Sequence, residues 1–77
     1  MKTQVGIVTV AQEGRFRLIT SEGRSHMFLL GADCAVEAQD LPVLVRDQRR
    51  VRVSYNPADH LMAGIVHAMQ ALAQGER

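Results

Sequence analysis

Arginine is the residue type whose number and spacing could do chemistry in this 77-residue chain. Of the nine basic residues only Lys2 is a lysine, and seven of the eight arginines fall between positions 15 and 52. Arg15 and Arg17 are two apart, as are Arg50 and Arg52, the spacing that puts both members of a pair on one side of an extended strand. Arg24 follows a turn sequence, and Arg46, Arg49, Arg50 and Arg52 against the single Asp47 give residues 46–52 a charge of +3. A guanidinium pairs with phosphate through a planar fork and also stacks on bases. Arg15, Arg17, Arg24, Arg46, Arg49, Arg50 and Arg52 are therefore candidate contacts for RNA or single-stranded DNA. The same pattern also describes a solvated strand face. The net charge is only +1, so local clustering has to carry any attraction for a polyanion.

Other chemistry finds less support. His26, His60, His67 and Cys34 are of metal-ligating type, but no pair has the i, i+4 or Cys-x-x-Cys spacing, so no metal is expected. Met62 and Met69 are expected to fill gaps in the core. Cys34 lies beside Asp33 in an acidic stretch, which raises a thiol pKa and disfavours a reactive thiolate; it reads as a small hydrophobe. Glycine-rich phosphate loops and nucleophile elbows are absent, and a domain this small has little room for a deep cleft. The expectation is a non-enzyme without cofactor. Phe28 and Tyr55 are the rings that could stack on bases, and both are expected in the core. Residues 31–45 carry Asp33, Glu37 and Asp40 with no basic residue, a surface suited to a protein partner or to self-association with the basic segment. The oligomeric state stays open.

The elements that must position these arginines follow from apolar alternation. With 47% hydrophobic and 22% charged residues, the chain reads as one domain over residues 1–77, with 70–77 a flexible tail. Residues 1–11 are too short an apolar run for a signal peptide, no window suits a membrane span, and one cysteine permits no internal disulfide; a cytoplasmic protein is expected. Val5 to Val10 is a strand with Val5, Ile7 and Thr9 on one face and Val8 and Val10 on the other. After the turn at Glu13-Gly14, Arg15 to Thr20 alternates Phe16 and Leu18 inward against Arg15 and Arg17 outward. A second turn, Ser21 to Arg24, leads to His26–Leu30 and completes a three-stranded meander. Composition predicts one or two helical turns within Gly31–Gln39. Pro42 interrupts the next stretch, Arg46 to Arg49 reads as a polar turn, and Arg50–Tyr55 is a strand with Val51, Val53 and Tyr55 on one side. From Asn56 onward two readings compete. Leu61, Ile65, Ala68, Met69 and Leu72 fit an amphipathic helix capped by Asp59, whereas Gly64-Ile65-Val66 suits a fifth strand over Ala63–Met69.

Three meander strands, a short link and two further strands is the order of a mainly β, five-stranded OB-type barrel with a short helix between strands three and four; an SH3-like barrel shares part of it. At residue level, Gly6-Ile7-Val8, Phe16-Arg17-Leu18, Glu22-Gly23-Arg24, Arg46-Asp47 before Val51-Arg52-Val53, Pro57-Ala58-Asp59 and Ile65-Val66 resemble the S1-like OB proteins, and most closely the bacterial translation initiation factor 1 family. The resemblance spans most of residues 5–69. It implies a strand near Ile65 and an RNA-binding surface, although that family is lysine-rich where this chain uses arginine. Gly14-Arg15-Phe16-Arg17-Leu18-Ile19 and Met27-Phe28-Leu29-Leu30 are similar to the cold-shock strands, with one stacking aromatic missing from each.

Overall fold

The β-branched opening run forms β1 (Lys2–Gln12), and the chain continues through β2 (Arg15–Ile19), β3 (Ser25–Leu30), a 3-10 turn (Ala38–Asp40), the helix α1 (Leu41–Asp47), β4 (Arg50–Ala58) and β5 (Ala63–Ala71). This computed structural model describes residues 1–58 and 62–73. Asp59, His60 and Leu61, and residues 74–77 of the expected tail, lie outside the described residues. The strands close into a barrel in the order β1-β2-β3-β5-β4, with β4 returning to β1. All neighbours are antiparallel except β3 and β5, which run parallel through Phe28↔Gly64, Leu29↔Ile65 and Leu30↔Val66. The chain is thus a mainly β, closed five-stranded barrel with one short helix between strands three and four, an arrangement consistent with the OB type.

The core follows the alternation. Val8, Phe16, Leu18, Phe28, Leu41, Val51, Val53 and Val66 are almost completely buried, with Ala11, Leu30, Cys34, Tyr55 and Met69 packed around them. Phe28 is the hub: its ring centroid lies 5.5 Å from that of Phe16, and 4.9 Å from that of Tyr55 in an edge-on contact. Between helix and strand for the last segment, the strand wins, and Gly64 shows why. A Cβ at position 64 would sit 2.7 Å from Tyr55 Cδ2 and 2.9 Å from Phe28 Cδ1. The glycine that weakens a helix is what lets β5 cross the aromatic hub.

Four expectations need correction. In β1 the register to β2 shifts between Val8 and Val10. This bulge breaks the alternation, so Val10 turns outward, 53% exposed, and Ala11 takes its place against the core. The helix lies later than Gly31–Gln39: Pro42 occupies its first turn, where a missing N–H costs nothing, so it starts the helix instead of interrupting it. Residues 44–47 are helical accordingly, ending at a left-handed Gln48. Met62 fills no gap, being 89% exposed. Finally, Gln70 and Ala71 belong to β5 and Leu72 is 2% exposed, its N–H donating to the Arg50 carbonyl at 2.8 Å. Residues 70–72 are part of the barrel, not of a tail.

Candidate functional site

Strand pairing decides which arginines can act together. On β2, Phe16 and Leu18 face inward and Arg15 and Arg17 outward. Opposite them on β3, Leu29 pairs with Arg15 and Met27 with Arg17, and beyond Leu29 lies Ile65 of β5. On the other flank Gln12 pairs with Arg15 and Val10 with Arg17. Arg15, Met27, Leu29, Met62 and Ala63 line a shallow depression of about 290 Å³. Arg15 and Arg17 are exposed, and neither has an ion-pair partner among the described residues. Two cations over a half-buried apolar floor can take up phosphates while leaving the floor for whatever the chain between them carries.

The second pair lies elsewhere. Arg52 is the cross-strand neighbour of Val5 and Arg50 of Ile7, on the first half of β1. Val5 and Val10 are about 16 Å apart along a strand, and β2 and β4 are two strand spacings apart, so the Arg15–Arg17 and Arg50–Arg52 pairs are separated by roughly 15–20 Å. Arg24 is exposed at the β2–β3 turn, whose backbone is closed by Thr20 N–H donating to the Arg24 carbonyl at 2.9 Å.

The remaining arginines are engaged within the fold. Arg46 donates from Nε to Asp47 Oδ1 at 2.9 Å, and that hydrogen bond holds the Asp47 carboxyl below its ordinary pKa. Arg49 donates from Nη2 to the Leu72 carbonyl at 2.8 Å in a partly buried hydrogen bond; it ties the residue that follows β5 to the start of β4. Arg50 is half-buried and not free. The seven arginines therefore form no single face: two of them make a pair on β2–β3, and the +3 of residues 46–52 is partly taken up by internal contacts.

Sequence reasoning passed over two features. Met27 and Leu29 belong to the face with Arg15 and Arg17, and the alternation around the buried Phe28 was the available signal. Ile65 joins them only through the parallel register, which no local pattern encodes. The other feature is a clasp on the barrel wall. His67 Nδ1 lies 2.9 Å from Asp33 Oδ1, and His67 Nε2 lies 3.0 Å from Asn56 Nδ2; a proton on Nδ1 makes the ring the donor to the carboxylate. The clasp fastens the loop after β3 to β5 and β4. The hydrogen bond from His67 lowers the Asp33 pKa below its ordinary value.

No described group of three or more His, Cys, Asp or Glu side chains has the geometry to hold a metal ion, and no described helix is long and apolar enough to cross a membrane. Cys34 is half-buried against the core. Comparison with known family models, with curated proteins and with solved structures finds no match to the chain.

Proposed function

We propose that the chain is a non-catalytic binding module that holds single-stranded RNA or DNA across the outer face of β2 and β3, with Arg15 and Arg17 on successive phosphates. The observation that carries this reading is the pair itself: two exposed guanidinium groups, side by side, without an ion-pair partner among the described residues. They stand on the strand pair that OB-type barrels use for oligonucleotides. Arg24, at the turn joining the same two strands, extends the path by one contact. The resemblance of Gly6-Ile7-Val8 and Phe16-Arg17-Leu18 to the S1-like proteins supports the same ligand class, and a cytoplasmic setting would suit it.

Binding should be weak and modestly salt-dependent. Single-stranded nucleic acid loses affinity with a logarithmic slope of about 0.7 per phosphate contacted, so two or three arginines predict a slope of roughly −1.4 to −2.1. Fluorescence anisotropy of labelled 12-nucleotide strands at several salt concentrations measures it. Arg15→Ala with Arg17→Ala should reduce the slope by about 1.4, leaving at most the roughly −0.7 of a single Arg24 contact, whereas Arg46→Ala should leave it unchanged. A slope indifferent to Arg15 and Arg17 would overturn the assignment.

One observation favours a second reading, a protein-interaction module. The face offers no aromatic platform: Phe16 and Phe28 are buried and Tyr55 is half-buried edge-on against Phe28. Base stacking worth about 1–3 kcal/mol per ring is thus missing. Met27, Leu29, Ile65 and Met62 beside two arginines match the residue types enriched at protein interfaces. Absence of any oligonucleotide binding in low salt would select this reading.

A further inference from the structure

Around the edge of β3 from the arginine pair, the barrel has a mouth, the end at which β1, β3 and β5 begin and β4 finishes. His26 is the cross-strand neighbour of Leu18 and stands two residues before Phe28, so alternation turns its ring to the inner side there. Tyr55 packs inward from β4, with Lys2 of β1 directly opposite. The His26 and Tyr55 rings flank Phe28, their centroids 6.2 Å and 4.9 Å from its own. Together they wall a cleft of about 340 Å³, within the size range of small-molecule sites. Met27, Met62 and Ala63 line both this cleft and the depression beside Arg15, so the two adjoin.

The polar groups of the cleft are unengaged. No hydrogen bond or ion pair among the described residues takes up Lys2 Nζ, the Tyr55 hydroxyl or either ring nitrogen of His26, and no carboxylate is among the described residues that line the cleft. An ammonium group only donates, and a phenol hydroxyl donates readily. A wall of rings with unengaged donors at its rim suits a flat heteroaromatic ring, apolar on its faces and carrying acceptor oxygens or nitrogens on its edge. The geometry points to a nucleobase pocket: one base of the strand turns around β3 and packs against His26 and Tyr55, with its edge toward Lys2 and the Tyr55 hydroxyl. Met27 keeps the path short, being the cross-strand neighbour of Arg17 and the chain neighbour of His26. The pocket supplies at one position the stacking that the outer face of β2 and β3 lacks. As a place for one unit of that strand, it rests on the reading proposed above.

An abasic strand separates the two claims, because it keeps the phosphates and lacks the bases. The full chain, isotopically labelled, is titrated with a 12-nucleotide uridine strand and with its abasic counterpart, and NMR follows the ring signals of His26 and Tyr55 beside the amides of residues 15–17. The uridine strand should move both sets and bind at least about fivefold more tightly than the abasic one, which should move the amides alone. His26→Ala should abolish that advantage, and the ring signals of the unmodified protein answer the same question should the variant not fold. Rings that stay still while the amides move, equal affinity for the two strands, or an advantage that persists in His26→Ala would each overturn the pocket and leave the phosphate contacts standing. Rings that move while the amides stay still would overturn the arginine assignment and keep the pocket. Silence in both sets would overturn both.

Discussion

Gly64 is the residue at which packing, element choice and topology meet. A methyl group there would stand within 2.7–2.9 Å of the Tyr55 and Phe28 rings, and the Phe28 ring has no room to retreat, because it is buried against Phe16. Gly64→Ala is therefore expected to destabilise the barrel by about 1–3 kcal/mol of overpacking strain, a large share of the roughly 5–15 kcal/mol typical of a domain. Urea unfolding should show a lower midpoint at unchanged slope, and an unchanged midpoint would mean that the rings are not fixed by the β5 crossing. Asp33 offers a second test. The hydrogen bond from His67 lowers its pKa, so the folded form holds the carboxylate more firmly than the unfolded chain does. The stabilisation is present above the ordinary aspartate value of about 3.9 and is lost as pH falls through the lowered folded value. A carboxyl titration followed by NMR should place the Asp33 midpoint below the ordinary value, and His67→Ala should move it back up. A midpoint indifferent to His67 would remove the clasp.

Among the elements, α1 carries a correctable strain. The helix ends at Gln48 with φ of 50°, a left-handed conformation that costs a side-chain-bearing residue roughly 1 kcal/mol and costs glycine nothing. Gln48→Gly should raise the thermal midpoint by a few degrees, and a fall would show that the Gln48 side chain holds something the backbone does not reveal. This helix also marks where the sequence was hard to read. Pro42 looked like a breaker because proline is hostile to helix interiors, yet the first turn accepts it, and only the three-dimensional start of the helix distinguishes the two cases. The strands were legible because Phe16 and Leu18, Val51 and Val53, and the residues around Phe28 alternate with period two against a buried face. β1 was legible as a strand but not in register beyond Val8, since a bulge is made by the partner's pairing and leaves no mark in VGIVTV. The fate of residues 63–71 was balanced between helix and strand on local grounds. The aromatic hub tipped it, and that hub is assembled from β3 and β4. The same reasoning explains the site: Arg15 and Arg17 could be paired from their spacing, whereas the separation of Arg50 and Arg52 from them depends on which end of β1 each strand meets.

For the molecule as a whole, barrel closure divides a modest basic content into patches instead of concentrating it. A chain of net charge +1 exerts little long-range pull on a polyanion, so the proposed binding would have to come from short-range contacts on one wall of the barrel. The floor of Met27, Leu29 and Ala63, with Met62 at its edge, supplies apolar area but no ring, which fits a ligand held through its backbone and read only loosely along its bases. The decisive measurement is chemical-shift mapping of the ¹⁵N-labelled protein with an unlabelled 12-nucleotide single strand. The amides of residues 15–17, 27–29 and 62–65 should move together and saturate, while those of α1 and of residues 68–71 stay in place. No movement at about millimolar strand in low salt, or movement confined to residues outside the β2–β3 face, would contradict binding on this wall.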